Sequence, residues 1–387
     1  MKKTFLLTLL FTVVSIVVFA QITVEVKGVG TDRNGAIEDA KRMAIEQALG
    51  TAVKSESQMQ NFMLVKDVIS TNTAGYISNY SVKNEVSYPD RYEVTIIAVV
   101  SESGLKADSK SLAQSLGVLR FIVVYDPTKI VNKADSIKYN YCYEKANEFL
   151  SRAKYRHVEK ESFDKLKSDA IKLSEKDTSS LAFAQKLAFI ADGEIIIKIE
   201  NIYLKEEVKG LNLNTVKAVV DMKIYDNCTG EALGNAEGMS DEKTVAVTDE
   251  EAVRNIIAEA VQRAMEKTMF LVKSYFSDWV NNGTIYEIRF YGIDEDMFDD
   301  ITIELEKDAL YGGQADYKIT NNFMRVLLSF KLPPTEMRRI VRTISEEKGQ
   351  KLETKVSYGR QFSFAPKNVE VRDATIKNIY NPSSNGE

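Results

Sequence analysis

The chain is poor in the residues from which most enzyme sites are built. Its 387 residues hold one histidine, His157, and two cysteines, Cys142 and Cys228. His157 follows Arg156 in an apparent strand with no serine or cysteine nucleophile context beside it, so it reads as structural and not as a general base. With no paired-cysteine spacing and a single histidine, a zinc centre is disfavoured. Cys142 and Cys228 stand 86 positions apart, which leaves two readings open: a disulfide, or two buried thiols that pack as small hydrophobes. Gly28-Val29-Gly30 sits at a strand-to-helix junction, but there is no third glycine and no Walker lysine, and Asp32 and Arg33 occupy the approach a phosphate would need. Glycines that end a strand explain the pair. Six prolines and no low-complexity tract leave little room for long linkers. No catalytic, cofactor-binding or metal-ligating set is therefore assigned.

What is present begins with a leader. Lys2 and Lys3 form a charged start, an apolar run follows from Phe5 to Phe19, and Val18 and Ala20 precede a cut before Gln21. That run of 15 residues is shorter than the ~20 a membrane span takes, and no cysteine stands at the cut to carry a lipid. Residues 1–20 read as a signal peptide, with the mature chain released to the periplasm or held to the envelope by protein contacts. Losing Lys2 and Lys3 lowers the 51 basic residues to 49 against 56 acidic ones, a net charge of −7. This disfavours nucleic acid and a general attraction to anionic lipid. The composition, 44% apolar and 28% charged, is that of a globular protein. The length exceeds what one core usually organises, so two or three domains are expected.

Three blocks follow, an α+β and α/β multidomain arrangement. In residues 21–108, Ile22–Gly28 alternates as a strand, a helix runs from about Asn34 with Ile37, Ala40, Ala44 and Ala48 on one stripe to a stop at Gly50, Phe62–Ser70 is a short helix, and Tyr76–Tyr88 with Arg91–Val100 forms a hairpin about Pro89-Asp90. The result is a small α+β domain. Residues 109–283 open with the apolar strand Val118–Tyr125. They continue with a helix Ala134–Lys154, a short strand Tyr155–Glu159, helices Ser162–Leu173 and Leu181–Ala191, and a strand Glu194–Leu204. Strands Val216–Tyr225 and Glu231–Gly238 meet at the turn Asp226-Asn227-Cys228-Thr229-Gly230. A regular apolar register from Val253 to Trp279 marks one long final helix, Asp249 to about Val280. Residues 284–366 read as strand Tyr286–Tyr291, helix Met297–Leu310, strands Tyr317–Asn321 and Met324–Phe330, helix Thr335–Lys348 and strand Leu352–Phe364, the βαββαβ order of a ferredoxin-like domain. Residues 367–387 read as a flexible polar tail.

The order of the second block, with its Tyr155-Arg-His-Val-Glu159 strand, the helix opening Glu161-Ser-Phe-Asp-Lys-Leu166 and the Asp-x-x-Thr-Gly-Glu turn at Asp226–Glu231, resembles the TolB amino-terminal domain. The same module is found in the curli secretion lipoprotein and in the middle domain of flagellar assembly protein T. The Ala-rich helix and Gly75-Tyr-Ile77 with the long hairpin of the first block look like the amino-terminal domain of flagellar assembly protein T. The resemblance covers about 260 residues of pattern and short motifs. It implies an envelope protein that assembles with other proteins; the third block departs from it.

Few other features invite chemistry. Asp294-Glu-Asp296 with Asp299-Asp300 imitates a calcium loop, but Phe298 takes a ligand position and the central glycine is missing, so a helix N-terminus is the better reading. Asn227-Cys-Thr229 fits a glycosylation sequon. Tyr139, Tyr141 and Tyr143 crowd one helix start, as packing or as an interface. The expected function is a non-catalytic exported envelope protein acting as an assembly, scaffold or accessory subunit, with envelope or outer-membrane proteins or a second copy of itself as partners. The alternatives are a periplasmic ligand- or polysaccharide-binding module and a carboxylate-based hydrolase. The leader generates the first prediction: N-terminal sequencing of the protein from its host finds Gln21, and an intact Met1 overturns the export reading.

Overall fold

The computed structural model describes residues 21–52, 61–159, 180–210, 213–246 and 250–371. The leader, the helix expected over Ser162–Leu173 and the end of the tail lie outside these residues. The chain is a multidomain α+β protein with three sheets, and it divides into two compact units. Residues 21–52 and 74–106 belong to the first unit, and residues 61–73 and 107–371 to the second. No helix among the described residues is long and apolar enough to cross a membrane.

In the first unit, β1 (Gln21–Gly30) and β2 (Ile77–Ser87) flank β3 (Tyr92–Ser101), both antiparallel to it. Every second residue of β3 from Val94 to Val100 is buried, against the stripe of α1 (Arg33–Ala52) that carries Ala36, Ala40, Ala44 and Ala48. Small residues on both partners bring helix and strand unusually close. A Cβ placed on Gly28 would lie 2.2 Å from Ala36 O and Ala40 N. Gly28 is therefore the seat of a helix contact and not merely the end of a strand. Asp32 accepts from Gly35 N at 2.8 Å and starts α1. The expected stop at Gly50 is passed: Leu49 and Ala52 are both buried, so packing carries the helix through the glycine.

The second unit begins with α2 (Phe62–Thr71) and takes in most of α3 (Glu102–Leu116). The sequence reading did not anticipate α3, because its Gly, Ser and Lys content gives little helical period. Its Leu105, Leu112 and Leu116 are nevertheless buried, and burial decides. One sheet has the order β4 (Phe121–Tyr125), β5 (Ile195–Gly210), β6 (Leu213–Asp226), β7 (Ala232–Met239), with β8 (Lys243–Ala246) paired to the far end of β6. β4 and β5 are parallel, and the remaining pairs are antiparallel. Between β4 and β5 come α4 (Lys133–Arg152) and α5 (Ser180–Ile190). The strand expected over Tyr155–Glu159 is reduced to one parallel bridge, His157 to Phe121, on the edge of β4 away from β5.

The helix α6 (Glu250–Asn282) has 33 residues, roughly 50 Å at 1.5 Å per residue. Its buried stripe runs Ile256, Ile257, Ala260, Val261, Ala264, Met265, Thr268, Met269, Val272, Phe276, Trp279, laid on β6 and β7.

The last sheet is built from β9 (Thr284–Phe290), β10 (Tyr311–Ile319), β11 (Met324–Phe330), β12 (Leu352–Tyr358) and β13 (Gln361–Pro366), in the order β10-β11-β9-β13-β12, with α7 (Glu295–Lys307) and α8 (Pro334–Glu347) as its helices. The single closing strand expected over Leu352–Phe364 is instead a hairpin. Gly359, at φ 48°, turns the chain, and β13 inserts parallel to β9 between it and β12. That turn decides what happens at the candidate site.

Ile257 and Val261 lie at the centre of the α6 stripe. Replacing either by aspartate buries an unpaired charge, and urea unfolding is expected to show a loss of about 3–5 kcal/mol. Unchanged midpoints would mean that the stripe is not core.

Candidate functional site

Three buried charges of the second unit, Glu194, Asp226 and Arg360, meet at one place. Arg360, 1% exposed, follows Gly359 in the β12–β13 turn. Its Nη2 donates to both oxygens of Asp226 at 2.9 and 2.8 Å, its Nε to Glu194 Oε2 at 3.2 Å and its Nη1 to Ile285 O at 3.2 Å. Asp226 is 0% and Glu194 4% exposed. The guanidinium lies 4.6 Å from the ring centre of Trp279 in α6. Tyr275 OH, one turn earlier, donates to Asp226 Oδ2 at 2.8 Å. Cys228 adds its backbone N–H to Asp226 Oδ1 at 2.9 Å and its thiol to Glu194 Oε2 at 3.3 Å, while Arg360 N donates to Cys228 Sγ at 3.5 Å. Tyr358 OH donates to Gly193 O and accepts from Asn227 Nδ2. No side chain fits at position 359, because a Cβ there would lie 2.5 Å from the Glu194 carboxylate and 2.9 Å from Cys228 Sγ.

Burial and the like charge of Asp226 push the Glu194 carboxyl above the usual carboxylate range, against the pull of Arg360. Burial opposes the Arg360 charge, yet Asp226 and then Cys228 and Glu194 hold its pKa well above the usual value. The Cys228 thiol is raised well above its ordinary value, by burial first and Glu194 second. A thiol so held is a packed donor and a poor nucleophile.

Beside this network a cleft of about 230 Å³ opens between α5, the 226–230 turn and the face of the last sheet, lined in part by Lys186, Phe189, Asn227, Glu287, Arg289 and Gln361. Glu287 Oε1 accepts from Arg289 Nε at 2.6 Å and Gln361 Nε2 at 3.0 Å. A second, wider cleft of about 580 Å³ is lined by Arg120, Arg156, His157 and Asp192 among others. Burial first, and the charge of Arg120 second, lower the Arg156 guanidinium below its usual value.

The residues singled out in the sequence do not converge. His157 has both ring nitrogens engaged, Nδ1 with Tyr155 O at 2.9 Å and Nε2 with Ser151 Oγ at 3.1 Å, so that Nδ1, facing a carbonyl oxygen, is a donor. Asp294 accepts from Met297 N at 2.9 Å and caps α7; Glu295 and Asp296 fill the first turn, Phe298 is core, and Asp299 and Asp300 are exposed. No group of three or more His, Cys, Asp or Glu that could hold a metal occurs among the described residues. Cys142 and Cys228 are both buried free thiols. Asn227 of the sequon gives its amide to Gln185 O at 3.2 Å and to Tyr358 OH at 2.9 Å. Tyr139 and Tyr143 pack on Tyr125, with ring centres 5.7 and 6.2 Å apart, while Tyr141 lies under Lys145. Burial, with Cys142 second, pushes Tyr139 up to about 12. Sequence reasoning missed Glu194, Asp226, Gly359 and Arg360. The one available signal was a glutamate opening the apolar run Ile195-Ile-Ile197.

No protein-family model matches the chain. No curated protein matches it either. Among solved structures it is similar to a putative neuraminyllactose-binding hemagglutinin homolog from Helicobacter pylori, at 12% identity, over 39% of this chain and 81% of that one, with a TM-score of 0.23. A likeness of that size carries no argument about fold or function.

Removing Arg360 leaves Asp226 and Glu194 facing each other without a counter-charge. Arg360→Met is expected to cost about 3–5 kcal/mol in chemical denaturation, and Arg360→Lys to recover little of it, because a single ammonium cannot reproduce the fork. Glu194→Gln probes the sign of the linkage. The folded-state pKa of Glu194 is raised, so its contribution to stability is complete below the unfolded value and is lost as pH rises through the folded one. The melting temperature of Glu194→Gln relative to the parent should therefore climb as pH is raised from the acid side; a constant difference overturns the assignment.

Proposed function

We propose that this chain is a non-catalytic exported cell-envelope protein that acts as an assembly, scaffold or accessory subunit through protein–protein contacts. The observation that carries the reading is where its ionisable groups lie. Among the described residues the deeply buried Arg360, Lys198 and Glu287 are each tied to another charge, Arg360 to Asp226 and Glu194, Lys198 to Glu200 and Glu287 to Arg289, whereas the sheet of the first unit has β2 exposed along nearly its whole length and the outward face of β1 exposed as well. Ordered backbone at a sheet edge suits recognition by contact. The resemblance of residues 22–105 to the amino-terminal domain of flagellar assembly protein T and of residues 109–283 to the TolB amino-terminal module adds to this reading. On this reading the mature chain, from Gln21, acts in the periplasm with envelope or outer-membrane proteins as partners. The cleft of about 230 Å³ favours a second reading, a periplasmic ligand- or polysaccharide-binding module, with Phe189 as the ring a sugar would meet.

Crosslinking of the mature protein in envelope fractions of its host is expected to capture the same protein partner repeatedly, and exposed substitutions on one unit to abolish capture without changing the melting temperature. Turnover of a glycan, peptide or phosphoester that is lost on His157→Ala, Asp294→Asn or Asp296→Asn would overturn the reading.

A further inference from the structure

Among the described residues no further strand pairs with either edge of the first sheet, and the two edges differ. β2 is interrupted by two register shifts, one at Ser78 and one at Lys83, a device that discourages strand addition. β1 has no such guard. Its ten residues pair with β3 in unbroken register from Gln21↔Ser101 to Gly30↔Tyr92. The direction of its free peptide groups can be assigned. Val29 N–H donates to Asp39 Oδ2 at 2.9 Å and not to β3, so by strand alternation the odd-numbered residues Thr23, Glu25 and Lys27 turn their N–H and C=O groups to the open side. The side chains of the same residues are exposed on the face away from α1. Asp39 marks the flank of α1 that overhangs this edge, and Met43, one turn further on, is 38% exposed.

We propose that the open edge of β1 pairs antiparallel with the same edge of a second copy, about a two-fold axis at Val26, joining two three-stranded sheets into one. This deepens the contact reading above by naming the partner as a second copy of this chain. Charge selects the register. Centred on Val26, Glu25 stands opposite Lys27 of the second copy and Lys27 opposite its Glu25. Centred one residue earlier or later, Glu25 meets Glu25 or Lys27 meets Lys27, which disfavours those alignments. Within the chain Lys83 Nζ already contacts Glu25 at 2.8 Å and Lys27 Nζ contacts Glu93 at 2.6 Å on the same face. Pairing therefore extends these contacts into one ladder of alternating sign, Lys83, Glu25, then Lys27 and Glu93 of the second copy. Thr23 N–H meets Val29 O of the second copy, and this pair keeps that one bond only, because Val29 N–H is already given to Asp39.

Sedimentation equilibrium of the mature full chain at micromolar concentration tests this. The parent is expected to be a dimer. Glu25→Lys and Lys27→Glu, each of which sets like charges opposite, are expected to weaken association by at least roughly tenfold, and the double variant to restore it. Thr23→Pro, which removes an outward N–H and leaves the β3 ladder whole, is expected to be monomeric with the parent's melting temperature. A monomeric parent, or single reversals that remain dimeric, would overturn the inference. A monomer that still captures envelope partners refutes the dimer alone; a dimer that captures none and turns over a substrate refutes the contact reading alone.

Discussion

The second unit depends on one guanidinium. Taking Arg360 out of water costs several kcal/mol, and the cost is offset only because four kinds of partner converge on it: a bidentate carboxylate, a second carboxylate, a backbone carbonyl and the face of Trp279. These come from the start of β5, the end of β6, the last turns of α6 and the start of β9. The sheet of residues 121–246 and the sheet of residues 284–366 are thus joined by a polar clasp and not only by apolar contact. An isosteric apolar plug at such a place is often as stable as an ion pair. What the ions add is exactness of placement, since the three guanidinium nitrogens reach Asp226, Glu194 and Ile285 O together in one orientation and Gly359 admits the turn at one backbone conformation.

The clasp also accounts for the departure of the last sheet from the βαββαβ pattern. A single closing strand would run past residue 360 at the sheet surface. Reversing at Gly359 sends Arg360 inward and leaves β13 to pair in parallel with β9. The cleft lined by Asn227, Glu287 and Gln361 lies beside the same turn.

The first unit is held by different means. Among its described residues no charged side chain is buried, and its core is the close seat of α1 on β1, made by Gly28 against Ala36 and Ala40. Ion pairs such as Lys27–Glu93, Arg33–Glu85 and Lys83–Glu25 lie at its surface, where each contributes at most about 1 kcal/mol. They matter more for alignment than for stability.

The sequence by itself determined the elements with a strong local signal: α6 through its Val253–Trp279 register, β4 through its continuous apolar run, α1 through its alanine stripe and the hairpin through its Pro89-Asp90 turn. In each, the local pattern and the tertiary environment demand the same thing. It also read the Asp294 cluster as a helix N-terminus, and Asp294 caps α7. Only the tertiary structure decided the rest. α3 forms because three leucines find a core, β8 because the far end of β6 needs a neighbour, and Gly28 is a glycine because a helix backbone sits on it. The candidate site was not legible because its members are 34 to 166 positions apart in pairs such as Cys228–Glu194 and Arg360–Glu194. A lone Arg after a Gly, or a Glu before three isoleucines, has no local period to betray it; its meaning is a charge balance, and that exists only once distant strands have brought the charges within hydrogen-bond reach.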